Sequence, residues 1–278
     1  MTRTVAQNAQ LALLLEVTGT PKPGNVDRHH DYPDLRFEHF LAGAVGARPG
    51  LERAAAGGRV GLAFERAVAG MADQRGGNAQ FGALLAIAPL VRAAAAGDLS
   101  PDGAAAVVDA TTVQDACDFY VAFEHVDVAV EDPPPGLGPL DVRYGADAIP
   151  AIRERDLTLA DVMKMSAPGD GVAAEWDAGF PRTFRAADRL LSLAGPVPDR
   201  AARVFLELLA EEPDTFVETR ADEATAEEVT RRAAAALAGE EDPADLADEL
   251  VDRDVNPGTT ADLTAAALFV ALERGLAV

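Results

Sequence analysis

Residues 79–96 read AQFGALLAIAPLVRAAAA. Phe81, Leu84, Leu85 and Ala88 recur at the three- and four-residue spacing that lines one side of a helix, and Ile87 and Leu90 widen that side. A helix that is apolar around most of its circumference belongs at the centre of a fold. Pro89 lies inside the pattern, has no N–H to donate, and predicts a kink or break there.

The same period extends outward in both directions. Residues 5–17 form a first apolar helix, and Gly19, Pro21, Pro23 and Gly24 break it into a loop. Asp34 is placed as the N-cap of a helix whose face is Phe37, Phe40, Leu41, Ala44 and Val45. After a break at Gly57–Gly58, further helices are expected at 60–71, 101–116 and 117–123. Others follow at 157–165, 181–193, 199–210, 224–238, 242–251 and 259–274. Only residues 125–130 alternate as a strand does. EDPPPGLGPL, 131–140, is the strongest loop, but the segment after it lacks the apolar material for a separate core. The expectation is an all-α, single-domain multi-helix bundle spanning residues 1–278.

Of the 278 residues, 46 are acidic and 24 basic, for a formal net charge of -22, and only Lys22 and Lys164 are lysines. Dense carboxylates keep a protein hydrated at high internal salt, where screening removes much of their repulsion. The composition is therefore read as that of a protein from a salt-adapted cell. The acids are spread along the chain, which argues against an acidic patch for a basic partner. No Lys/Arg stripe exists, so nucleic acid is not expected as a partner. Cys117 is the only cysteine, which excludes an intramolecular disulfide, and it sits in an apolar run that predicts burial. The N-terminus lacks a signal-peptide pattern, and charge or proline interrupts the longest apolar runs well short of a membrane span. A cytoplasmic protein without membrane contact is expected. The alanine-rich 224–238 helix suits solvent or a second copy of the chain, so a homo-oligomer stays open.

Four glycine-containing loops carry the residues suited to chemistry. In TPKPGNVDRHHD, 20–31, prolines fix the backbone around Lys22, a natural phosphate ligand, and Gly24. Asp27 and Asp31 are suited to holding a cation or taking a proton. In GGNAQFG, 76–82, glycines precede the central helix and leave N–H groups for an anion, with Asn78 as cap or ligand contact. In SAPGDGVAAE, 166–175, Gly169 and Gly171 flank Asp170, and Glu175 follows. In NPGTTAD, 256–262, Thr259 and Asp262 have capping-box spacing, while Pro257 and Gly258 open the last helix. Each loop taken alone reads equally well as a connection, a cap or a turn. Together they fit an anionic, metal-assisted site in a helical bundle.

In the same order, these four segments resemble the triphosphoribosyl-dephospho-CoA synthase family. TPKPGNVDRHHD resembles its N-terminal Lys-Pro-Gly, Val-Asp and His/Asp segment, and NPGTTADLTAA its C-terminal Pro-Gly, Ala-Asp-Leu, Ala-Ala signature. The two middle matches are looser. The resemblance implies a transferase that uses ATP as substrate, with Mg²⁺ expected. A ribose hydroxyl of a dephospho-CoA-like acceptor attacks the ribose C1 of ATP, adenine leaves, and the triphosphate stays attached. It implies Asp27 and Asp31 as catalytic bases and Asp170, Glu175 and Asp262 as metal ligands. Lys22, Gly24, Asn78, Gly82, Pro257 and Gly258 are implied as nucleotide contacts. Where the family carries Thr-His-Lys, this chain has Ala79, Gln80 and Phe81, so a phosphate-facing lysine is replaced by an aromatic ring. Two other readings use the same residues: a metal-dependent all-α hydrolase of a nucleotide or ADP-ribosyl bond, and a non-catalytic nucleotide-binding helical protein.

Overall fold

A computed structural model describes residues 3–133 and 136–278. Sixteen α-helices follow one another along them. The N-terminal group is α1 (Val5–Thr18), α2 (Phe37–Gly46), α3 (Arg48–Ala55), α4 (Val60–Met71), α5 (Phe81–Ala95), α6 (Pro101–Asp109) and α7 (Val113–Ala122). Two short 3-10 stretches, Gly138–Leu140 and Val142–Ala148, precede α8 (Ile149–Glu154), α9 (Leu159–Ser166), α10 (Gly171–Ala178) and α11 (Pro181–Ser192). The chain ends with α12 (Val197–Glu211), α13 (Thr215–Arg220), α14 (Glu223–Ala238), α15 (Pro243–Asp252) and α16 (Gly258–Glu273). No strand occurs among the described residues, and 125–130 is irregular. The fold is all-α, as the periodicity predicts.

Two helices form the axis. The central one read from sequence, α5, is buried on most sides, and α16 is buried from Thr259 to Leu272 except at Asp262. α16 packs against α1, α5, α11 and α12. The main core runs through α1 to α12 and α16, and it holds Cys117, Trp176 and Phe269. A smaller apolar cluster lies among α12 to α16, with Phe205, Val229, Leu246 and Leu250. The alanine-rich α14 packs its Ala226, Val229 and Ala233 against this cluster.

Three local expectations are corrected. α5 continues through Pro89 without a break. Proline withholds the N–H that normally bonds four residues back, here to Leu85. The buried indole N–H of Trp176 donates to the Leu85 carbonyl at 3.1 Å, so tertiary packing supplies what the helix lacks. Trp176→Phe is expected to cost about 2–4 kcal/mol, by removing that donor and by leaving a space where the larger indole stood. Denaturant unfolding checks this, and a change under about 0.5 kcal/mol would mean the carbonyl needs no such donor. The second correction concerns α2, which begins at Phe37 with Arg36 as N-cap; Asp34 is exposed, and Asp31 supplies the carboxylate, accepting from Phe37 N at 2.7 Å. The third is at α16, where Asp262 does not cap. Asp214 accepts from the Thr260 N–H and hydroxyl, both at 2.7 Å, from a loop far away in sequence.

Candidate active site

The first and last of the four loops meet. Gly24, at φ +70°, lies so close to the turn before α16 that a Cβ there would sit 2.1 Å from the Val255 carbonyl oxygen and 2.9 Å from Pro257 Cδ. Asn25 Nδ2 donates to Asn256 Oδ1 at 2.8 Å, which joins the two loops by side chains as well. The second loop arrives through α5: a Cβ on Gly82 would stand 1.9 Å from Asp262 Oδ2, so only glycine lets this carboxylate rest on the first turn of α5. Gly258 faces the Phe216 ring, with Cδ1 2.9 Å from where a Cβ would be. Gly171 N donates to Thr215 Oγ1 (3.0 Å), which pairs with Thr259 Oγ1 (3.0 Å), and this draws the third loop to the same end of α16.

A cavity of about 120 Å³ opens where these elements converge. Its polar wall includes Glu16, Asn25, Asn78, Asn256 and Asp262, and Phe40, Phe81 and Phe216 form aromatic walls. Asn78 Oδ1 accepts from Phe81 N at 3.0 Å and so serves as the cap of α5 as well as a wall. Asp262 is partly exposed to the cavity but otherwise enclosed by protein. Burial pushes its carboxyl well above the ordinary range, and the nearby charges of Glu16, Asp214 and Asp170 push it further. Asp214 is raised as well, by burial that its hydrogen bonds only partly offset.

Several residues expected at the site have other work. Lys22 is fully buried: its ammonium is bonded to Glu16 and to Asn25 Oδ1 (2.8 Å) and stands 5.7 Å from the Phe205 ring centroid. Its ammonium is committed to these two side chains. Asp27 accepts from Lys22 N (3.1 Å), His29 N (2.8 Å), His30 N (3.1 Å) and His30 Nδ1 (2.9 Å). Burial alone would raise its carboxyl, but hydrogen bonds from His29, Thr20 and Lys22 and the nearby His30 hold it below the ordinary value. It ties the loop together and is a weak base. Asp31 is exposed and caps α2. Glu175 is buried with both oxygens committed to the start of α11, accepting from Arg182 N (3.1 Å) and Thr183 N (2.8 Å). It does not join Asp170, which is exposed and caps α10 through Ala173 N (2.8 Å).

Several site residues were missed in sequence, and of these Asn25 and Asn256 stood inside the two end motifs. Glu16 had a signal, a lone acid in an otherwise apolar helix turn. Phe216 and Asp214, in a short PDTF turn, had none.

Helix ends that bring carboxylates, amides and aromatic rings into one cleft define an all-helical, nucleotide-handling enzyme. Comparison makes the class particular: the family model of ATP:dephospho-CoA triphosphoribosyl transferases (CitG) matches residues 2–277. The chain belongs to this family. It is also similar to a crystal structure from Archaeoglobus fulgidus provisionally assigned as a triphosphoribosyl-dephospho-CoA synthase. Identity is 27% and the TM-score 0.69, over 85% of this chain and 100% of that one. Among curated proteins none matches. The enzyme is a transferase that moves the triphosphoribosyl group of ATP to dephospho-CoA, and neither hydrolysis nor a non-catalytic role is favoured.

Proposed function

We propose that ATP binds in the cleft between the starts of α5 and α16, with its triphosphate toward Asp262 and Asp170 and its base near the phenylalanine walls. The observation that carries this reading is the Asp262 carboxylate, which lines the cleft against Gly82 at the first turn of α5, with burial raising its carboxyl and the charges of Glu16, Asp214 and Asp170 raising it further. A carboxylate charge held largely away from water near other carboxylates is costly unless a cation accompanies it. The donor set fits Mg²⁺, a hard cation that keeps waters and needs one or two carboxylates beside substrate phosphates. Among the described residues no three His, Cys, Asp or Glu side chains surround one point, so the substrate phosphates would have to supply the remaining ligands. Asp262 and Asp170 would hold the ion, whose charge offsets that of the triphosphate when bound.

For the proton of the attacking hydroxyl we assign Glu16. It lines the cleft, and burial lifts its carboxyl above the ordinary range even against the attraction of Lys22. Asn25 and Asn256, bonded to each other, orient the substrate through their remaining amide atoms. Asp27, Lys22 and Gly24 act indirectly, by fixing the loop that carries Asn25.

The reaction is tested by product analysis. ATP with dephospho-CoA is expected to release one adenine per conjugate formed, and adenine or phosphate release without acceptor would overturn the transferase reading. The cation is tested by its effect on stability. The raised acids favour folding when protonated, below their ordinary pKa of 3.8 for Asp. That contribution is lost as pH rises through their elevated values. Mg²⁺ alone is therefore expected to raise the melting temperature more at pH 8 than at pH 5, and equal shifts would remove these carboxylates from the ion site.

The acidic surface is read, within the same proposal, as that of an enzyme working in a salt-rich cytoplasm. Among the described residues no helix is long and apolar enough to cross a membrane. With a net charge of -22, the melting temperature is expected to rise between 0.1 M and 2 M potassium chloride. A fall over that range would count against salt adaptation.

A further inference from the structure

Three phenylalanines line the cleft, and two of them are committed to packing. Phe81 is buried, its ring centroid 5.0 Å from that of Phe64 and 4.8 Å from that of Phe123. Phe40 is buried in a small apolar cluster with Val17 and Val26. Phe216 differs from both. It is partly exposed, and among the described residues it belongs to no apolar cluster and pairs with no other ring. An aromatic side chain ordinarily contributes by burying its ring among apolar neighbours, and core packing does not account for this one.

The backbone beneath the ring is fixed from several sides. Asp214 Oδ1 accepts from Phe216 N (2.9 Å) and Val217 N (3.2 Å), while its Oδ2 holds Thr260 on α16. Thr215 is tied to Gly171 and Thr259, and Val217 is buried in the smaller cluster. The ring rests on the first residue of α16: Cδ1, Cγ and Cε1 lie 2.9, 3.2 and 3.4 Å from where a Cβ on Gly258 would stand. A side chain at Gly258 would push it aside. A ring that is fixed in place, unpartnered and open to the cleft is a stacking surface for a planar ligand. Asp262 follows Gly258 by one turn, about 6 Å along α16, which brings phosphates attached to that ligand within reach of the carboxylate.

We propose that the adenine of ATP stacks on Phe216, and that the released base occupies the same place, so that free adenine competes with ATP. The inference rests on the placement of ATP in this cleft. Both ATP and dephospho-CoA carry an adenine. The donor's is assigned to the ring because the ring stands one turn from the carboxylate proposed to hold the cation of the triphosphate. Stacking uses the π face that every base has, so Phe216 supplies affinity for a planar base and no choice among purines.

The test is calorimetric titration of the whole protein at constant potassium chloride, with adenine and Mg²⁺ tripolyphosphate as probes, set beside steady-state inhibition by adenine. Adenine is expected to bind saturably and to raise the KM for ATP without lowering kcat. Phe216→Leu keeps an apolar side chain over Gly258 but has no π face. It is expected to weaken adenine binding and raise the KM for ATP about tenfold. Phe216→Tyr, which keeps the ring, is expected to leave both nearly unchanged. Mg²⁺ tripolyphosphate is expected to bind Phe216→Leu as it binds the native chain and to bind Asp262→Asn more weakly, so the phosphate end of the cleft is read separately from the base end. If the tripolyphosphate results hold but adenine binds Phe216→Leu as tightly as the native chain, the stacking role fails and the placement of ATP stands. Absence of saturable adenine binding, or competition of adenine with dephospho-CoA in place of ATP, would overturn the proposal. Equal loss of adenine and tripolyphosphate in Phe216→Leu would also overturn it, by making the ring a structural support for the start of α16.

Discussion

Asp262→Asn is expected to lower kcat for adenine release by about a hundredfold or more while raising the melting temperature of the ligand-free enzyme. The two effects share one cause. The carboxylate is held beside Glu16, Asp214 and Asp170 where burial already disfavours its charge, so the ionised form opposes folding at neutral pH. The amide has nearly the same shape and removes that charge. It also removes a proposed partner of the cation at the triphosphate, where such electrostatic support carries a large share of catalysis. Steady-state kinetics with ATP, Mg²⁺ and dephospho-CoA, set beside thermal unfolding without ligand, checks both halves. A variant that loses stability and activity together would make Asp262 a structural residue. One that keeps full activity would remove it from the site. Function held at a cost in stability is the usual signature of a working site.

Lys22→Met is expected to destabilise the protein by about 3–5 kcal/mol, because it leaves Glu16 buried without its countercharge. The pair lies inside the protein, with side-chain exposures of 0% for Lys22 and 4% for Glu16, so solvent screening gives little relief. The double variant Glu16→Leu/Lys22→Met is expected to recover most of that loss, since an apolar pair of similar volume avoids desolvating two charges. Chemical denaturation of the single and double variants gives the coupling directly. If Lys22 were instead a phosphate ligand, Lys22→Met would raise the KM for ATP and leave stability nearly unchanged. The expected result is the reverse, with stability lost first and activity lost through the displaced Asn25 loop.

The two end motifs were legible in sequence because their spacing is unusual. Lys-Pro-Gly followed by Asn-Val-Asp, and Asn-Pro-Gly before an apolar helix, bring glycine and proline to places where ordinary helices have neither. The roles inside them were less legible. A lysine in a rigid loop reads as a phosphate ligand until its partner is known, and that partner, Glu16, belongs to the preceding helix. Asp27 and Asp31 were read as bases by residue type. The folded chain surrounds Asp27 with donors and sets Asp31 on the surface at the start of α2. Glu175 was expected beside Asp170 as a metal ligand from the family resemblance, yet both its oxygens go to the start of α11.

By itself the sequence determined the helical class, the central place of 79–96, the burial of Cys117 and the positions of the four glycine-containing loops. Those properties follow from local periodicity and from which residues permit a turn. Only the tertiary structure decided which carboxylates keep a free oxygen in the cleft, which cap helices and which are neutralised. It also decided how α5 continues past Pro89, with an indole N–H from α10. The physical reason is the same in each case. A polar group's role is set by the partners that reach it, and in a bundle those partners arrive from helices far apart in the chain.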